Sequence, residues 1–105
     1  MVKKLFLILF LGFSTLVVSQ KSLQDLTTAP NPFSTTTNIH FTSKINQSVL
    51  LSIKNVLGKT VYSKKINAKT GLNKTVFKRA TIQSGLYIYA IRSNNEIISK
   101  RLVIK

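Results

Sequence analysis

The sequence contains no cysteine and no tryptophan, only two acidic residues and a single histidine. Without cysteine there are no disulfides, no thiolate metal ligands and no thiol nucleophile. The two carboxylates, Asp25 and Glu96, stand 71 positions apart, whereas acid–base catalysis needs its groups in one site. His40 has no second histidine and no neighbouring acid, and a metal site needs three or four ligands. No catalytic residue, metal ligand or cofactor is therefore expected, and the chain does not read as an enzyme or as a binder of small-molecule substrates. Two prolines and four glycines exclude collagen-like and proline-rich classes. The hydrophobic fraction of 44% is too high for a disordered basic tail. At 105 residues the chain has room for one small domain.

What is present in excess is positive charge. Lys and Arg number 16, giving a net charge of +14, or +12 without Lys3 and Lys4. The basic doublets are Lys64-Lys65, Lys78-Arg79 and Lys100-Arg101. On a strand adjacent side chains point to opposite faces, so a doublet is not a two-residue patch. Nucleic acid is disfavoured as a partner, because it calls for clustered charge beside aromatic stacking platforms. Anionic lipopolysaccharide or polysaccharide remains a weak, salt-sensitive ligand for such a surface.

The first 19 residues read as a secretory signal peptide. Lys3 and Lys4 form a positive start, and Leu5 to Val18 is an apolar run of 14 residues. That is short for a membrane span, which needs about 20, and suits a signal peptide. Val17 and Ser19 stand at −3 and −1 of an expected cleavage before Gln20. A membrane-anchored N-terminus is the alternative. Residues 20–29 are polar, with isolated Leu23 and Leu26, and read as a short linker or frayed end.

Pro30-Asn31-Pro32 marks a boundary that no helix crosses. Beyond it the pattern is strands and turns. Thr37 to Thr42, Ser48 to Val56, Thr60 to Ile66, Leu72 to Lys78, Gly85 to Arg92 and Ile97 to Lys105 alternate or concentrate β-formers. The last of these reads as one strand or two. Gly85 to Arg92 is apolar on both faces and reads as central and covered twice. The expected core includes Ile39, Phe41, Leu51, Ile53, Val61, Val76, Ile82, Tyr87, Tyr89, Leu102 and Ile104. Six or seven strands at this spacing predict an all-β fold, an antiparallel sandwich or small barrel.

Five pieces occur in order: Pro30-Asn31-Pro32-Phe33-Ser34, Thr37 to Phe41, Ser52 to Val61 with Gly58 inside it, Ser84-Gly85-Leu86-Tyr87-Ile88-Tyr89, and Lys100 to Lys105. In that order and spacing the chain from about Ala29 onward resembles the C-terminal sorting domain, type A, of the type IX secretion system in Bacteroidota. The resemblance implies a small immunoglobulin-like β-sandwich over residues 30–105 that acts as an export address. It implies recognition by an outer-membrane type IX translocon and its shuttle protein, and removal by a surface sortase that joins cargo to lipopolysaccharide. The product is then secreted or held at the cell surface, by way of the periplasm. The family's motif positions fall on Pro30, Asn31, Pro32, Gly58, Gly85, Tyr87, Lys100, Leu102, Val103, Ile104 and Lys105. Two departures stand out. Only Gln20 to Thr28 occupy the place of the family's usual large cargo, which implies an orphan domain, a fragment of a longer gene or a protein whose partner is encoded elsewhere. Lys78 stands at a position that is often acidic.

Overall fold

The computed structural model of the protein describes residues 21–105. The expected signal peptide and its cleavage point lie outside the described residues. Seven strands follow one another: β1 (Leu23–Ala29), β2 (Thr36–Ser43), β3 (Gln47–Asn55), β4 (Thr60–Ala68), β5 (Gly71–Lys78), β6 (Gly85–Arg92) and β7 (Ile97–Ile104). They form two sheets, β1-β2-β5 and β4-β3-β6-β7, with every strand pair antiparallel. This is the all-β sandwich that the alternating pattern predicts. The four-stranded sheet carries the C′-C-F-G order of immunoglobulin-like sandwiches.

The core lies between the sheets and follows from strand periodicity. On β2, Thr37, Ile39, Phe41 and Ser43 are buried while the residues between them are not. On β3, Val49, Leu51 and Ile53 point inward, and on β6 Tyr87, Tyr89 and Ile91 meet them. Leu102 and Ile104 complete the layer from β7. Each such side chain contributes roughly 1.5–3 kcal/mol of apolar burial.

The structure differs from the sequence reading in three places, at β1, β5 and β6. The segment read as linker is strand β1, and Leu23 and Leu26 are buried. They stand three apart because the pairing with β2 is bulged between Gln24 and Thr27, with Asp25 at φ 57°. A bulge inserts one residue and so shifts which side chains face inward. The terminal segment is one strand, the first of the two readings given for it, and the seventh strand is therefore β1. Strand β6 is central but covered on one face only, with Leu86 and Ile88 exposed. On β5 the inward face is Thr75 and Phe77, and Val76 is exposed. The ring wins because it packs edge-to-face on Phe33 at 5.9 Å and on Tyr62 at 4.9 Å. Val61 and Ile82 pack against the core while only partly buried.

Candidate recognition site

Apart from Lys100, which pairs with Tyr89 midway along its strand, the motif positions read from the sequence lie toward one end of the sandwich. The register makes this so. Asn55 at the end of β3 pairs with Tyr87 at the start of β6, Gly85 pairs with Ile104 at the end of β7, and Thr36 pairs with Lys78. The Pro30–Thr35 segment, the Val56–Lys59 hairpin, the Arg79–Ser84 connection and Lys105 therefore share one pole.

The Pro-Asn-Pro segment is fastened to the outer edge of β7. Its Ala29–Pro30 and Asn31–Pro32 bonds are cis. The Asn31 amide acts as a short piece of strand: its Nδ2 donates to the Arg101 carbonyl at 3.0 Å, and its Oδ1 accepts from the Val103 N–H at 2.9 Å. Phe33 continues the pairing in parallel, donating to the Val103 carbonyl and accepting from the Lys105 N–H. The Phe33 ring is buried in the core. Thr37 Oγ1 donates to the Pro30 carbonyl at 2.6 Å and fixes the approach to β2. The edge of β7 over residues 101–105 is thus already paired, and an incoming strand cannot read it without displacing this segment.

Arg79 ties the pole together. Its Nε and Nη2 donate to the Ile82 carbonyl at 3.1 and 3.0 Å, and Nη2 also donates to Ser84 Oγ. Its Nη1 donates to the Ser34 carbonyl at 3.0 Å and to the main-chain oxygen of Lys105. A planar fork of donors is needed here, which Lys does not offer. In a chain with thirteen Lys and three Arg, the choice of Arg is itself a signal, hidden in the Lys78-Arg79 doublet.

Gly85 and Tyr87 shape the start of β6. Gly85 has φ 153°, a conformation that residues with a Cβ rarely adopt, and the Tyr87 ring lies 3.8 Å from where its Cβ would be. The Tyr87 hydroxyl donates to the Gln83 carbonyl at 2.7 Å, the tyrosine corner of immunoglobulin-like sandwiches. Gly58, at φ 86°, closes the β3–β4 hairpin. There Asn55 Oδ1 accepts from the Leu57 and Lys59 N–H groups, both at 3.0 Å. The hairpin tip presents Val56 and Leu57 to solvent at 71% and 89% exposure.

The terminal residues divide. Leu102 and Ile104 are core side chains, Val103 is half-buried, and Lys105 is exposed. Lys100 pairs opposite Tyr89 and reaches solvent at the sheet edge. Sequence reasoning missed the roles of Phe33 and Arg79 and the exposure of Val56 and Leu57.

Among the described residues no three His, Cys, Asp or Glu side chains come together. His40 lies on the outer face of its sheet, paired with Thr27 and Lys74. Glu96 is held below the usual carboxylate range, chiefly because Ser22 donates to it from both its hydroxyl and its N–H. A carboxyl held charged in this way suits a tether rather than a general acid. Phe33, Phe41, Phe77, Tyr87 and Tyr89 are buried, and Tyr62 packs against the core. Those rings are not available as stacking platforms. Asn46 and Asn73 cap turns with their amides.

The family described as secretion system C-terminal sorting domain matches residues 28–105. Among solved structures the chain is similar to dimeric latent PorU from Porphyromonas gingivalis, with a TM-score of 0.65 and 15% identity. The likeness covers 84% of this chain and 10% of that protein, so the chain spans about a tenth of that protein's length. At this identity the likeness shows a shared fold. No curated protein matches.

Proposed function

The chain belongs to the family of secretion system C-terminal sorting domains, and from that membership we propose that it is a type IX export address, of type A, from a member of the Bacteroidota. In this reading residues 1–19 are the signal peptide that delivers the chain to the periplasm. The sandwich, with β1 as part of it, is then recognised by the outer-membrane translocon and its shuttle protein. A surface sortase acts afterwards, so that cargo is released or attached at the cell surface. The domain performs no chemistry of its own and takes no cofactor.

The observation that carries the reading is the gathering of the motif positions at one pole, with exposed apolar Val56 and Leu57 beside them. Pro30, Asn31, Pro32, Gly58, Gly85 and Tyr87 hold that pole in shape. Val103 and Lys105 offer it side chains, Leu102 and Ile104 support it from the core, and Lys100 stands farther along β7. Deleting Leu102 to Lys105 is a poor test of recognition, because it removes two core residues and the partner of Phe33.

A better test inserts a fluorescent reporter after Gln20 and follows it in two hosts, one with a type IX translocon and one without. The reporter is expected at the surface of the first and in the periplasm of the second. Equal surface display in both hosts contradicts the reading.

A further inference from the structure

The outer face of the four-stranded sheet is built unlike an ordinary solvated face. Its middle row consists of small side chains: Ser63, Ser52, Ala90 and Ser99 lie side by side across β4, β3, β6 and β7. The row on one side reads Lys65, Leu50, Arg92 and Ile97. The row on the other side brings Lys54, Ile88 and Arg101 together. The result is a shallow trough across the strands, whose two walls alternate cations and large apolar side chains. Leu50, Ile88 and Ile97 are 39%, 38% and 56% exposed. Leu50 and Lys54 are four residues apart on one strand, so the walls stand about 13 Å apart at a rise of ~3.3 Å per residue. The four strands give the trough a length of roughly 14 Å.

We propose that this trough docks a segment of a protein partner that carries both acidic and apolar side chains. The four cations Lys54, Lys65, Arg92 and Arg101 are joined by no carboxylate on this face, since Asp25 lies in the β1 bulge and Glu96 is tied to Ser22. Opposite charge is therefore what the walls select. The exposed Leu50, Ile88 and Ile97 supply apolar contact that a purely anionic polymer would leave unused. The small floor side chains let a main chain approach the sheet. A second copy of this chain is the wrong occupant, because it would bring the same four cations against these. The trough lies on the outer sheet face and touches the motif residues only at Arg101; its test reads peptide binding rather than surface display, so it and the export reading can fail separately.

The test titrates the full chain with a labelled peptide of alternating Glu and Leu, with a peptide of Glu alone, and with phosphatidylglycerol vesicles. The mixed peptide is expected to bind at least tenfold more tightly than the Glu peptide. The pair Lys54→Glu and Arg92→Glu is expected to weaken that binding tenfold or more, and Leu50→Ser with Ile88→Ser to do likewise. The pair Lys74→Glu and Lys78→Glu changes net charge equally on the opposite sheet and is expected to leave binding within twofold. Circular dichroism and the unfolding midpoint establish that each variant is folded, and a second pair, Lys65→Gln with Arg101→Gln, replaces any that is not. Equal loss from charge reversal on either sheet overturns the proposal in favour of unspecific attraction. Vesicle binding without peptide binding overturns it in favour of a lipid surface, and self-association through Leu50 and Ile88 overturns it in favour of a dimer.

Discussion

At the pole of Pro30–Thr35 and Arg79–Ser84, contacts join segments far apart in the chain. Asn31 meets Val103 across 72 positions, and Arg79 bridges the Ser34 and Lys105 main chains. At the opposite pole most closures are local. Asn73 caps its own turn at Lys69 and Gly71, and the Ser43 hydroxyl donates to the Ile45 carbonyl. The longer links there are fewer: Asn46 to Thr70, the Lys44 N–H to the Ser22 carbonyl, and Ser22 to Glu96, which spans 74 positions but hangs on one exposed turn. Local caps form early and cost little loop entropy, whereas links across most of the chain define a shape only when the whole fold is present. On the proposed reading, a receptor that reads the first pole reads completed folding.

The comparison breaks hardest at Phe33. Phe33→Ala removes a buried ring from the motif pole and is expected to cost about 3–5 kcal/mol, measured as a lowered midpoint in urea unfolding. Arg79→Lys retains charge but cannot fork to three carbonyls and a hydroxyl. A loss of about 2 kcal/mol is expected, from hydrogen bonds of a charged group worth 1.5–3 kcal/mol. Asn31→Asp swaps the amide donor for an acceptor facing the Arg101 carbonyl, and about 1 kcal/mol should go with it. At the other pole Asn46→Ala, which removes an exposed acceptor, is expected to cost no more than about 0.5 kcal/mol; parity between the two Asn variants would erase the contrast.

The smallest effect is the sharpest in pH. Glu96 has a lowered pKa in the folded chain, chiefly through the Ser22 hydrogen bonds. Its contribution to stability is present above the unfolded carboxylate pKa and is lost as pH falls through the lower, folded value. The wild-type midpoint should thus drop slightly more than that of Glu96→Gln on acidification through that window.

The fold was legible where chemistry is local. Strand alternation in β2 and β3 and the Gly58 hairpin are both readable from side-chain type. Strand β1 was not, because the bulge at Asp25 spaces Leu23 and Leu26 by three and destroys the period of two. The inward face of β5 was not, because Val76 and Phe77 are both apolar and only the partner rings Phe33 and Tyr62 decide between them. Where the residues quoted for the family resemblance fall in space depends on strand register, which residue type alone does not show. Arg79 was hidden because a Lys-Arg pair on a basic chain looks like solvated charge.

The most direct measurement compares surface display of the reporter fusion bearing Leu57→Ser, at the exposed tip of the motif pole, with that bearing Ile45→Ser, an exposed apolar residue of the other pole. Both variants should fold with unchanged midpoints. Display is expected to fall tenfold or more for Leu57→Ser and to stay within twofold of wild type for Ile45→Ser. Equal display from the two, with both folded, contradicts the account.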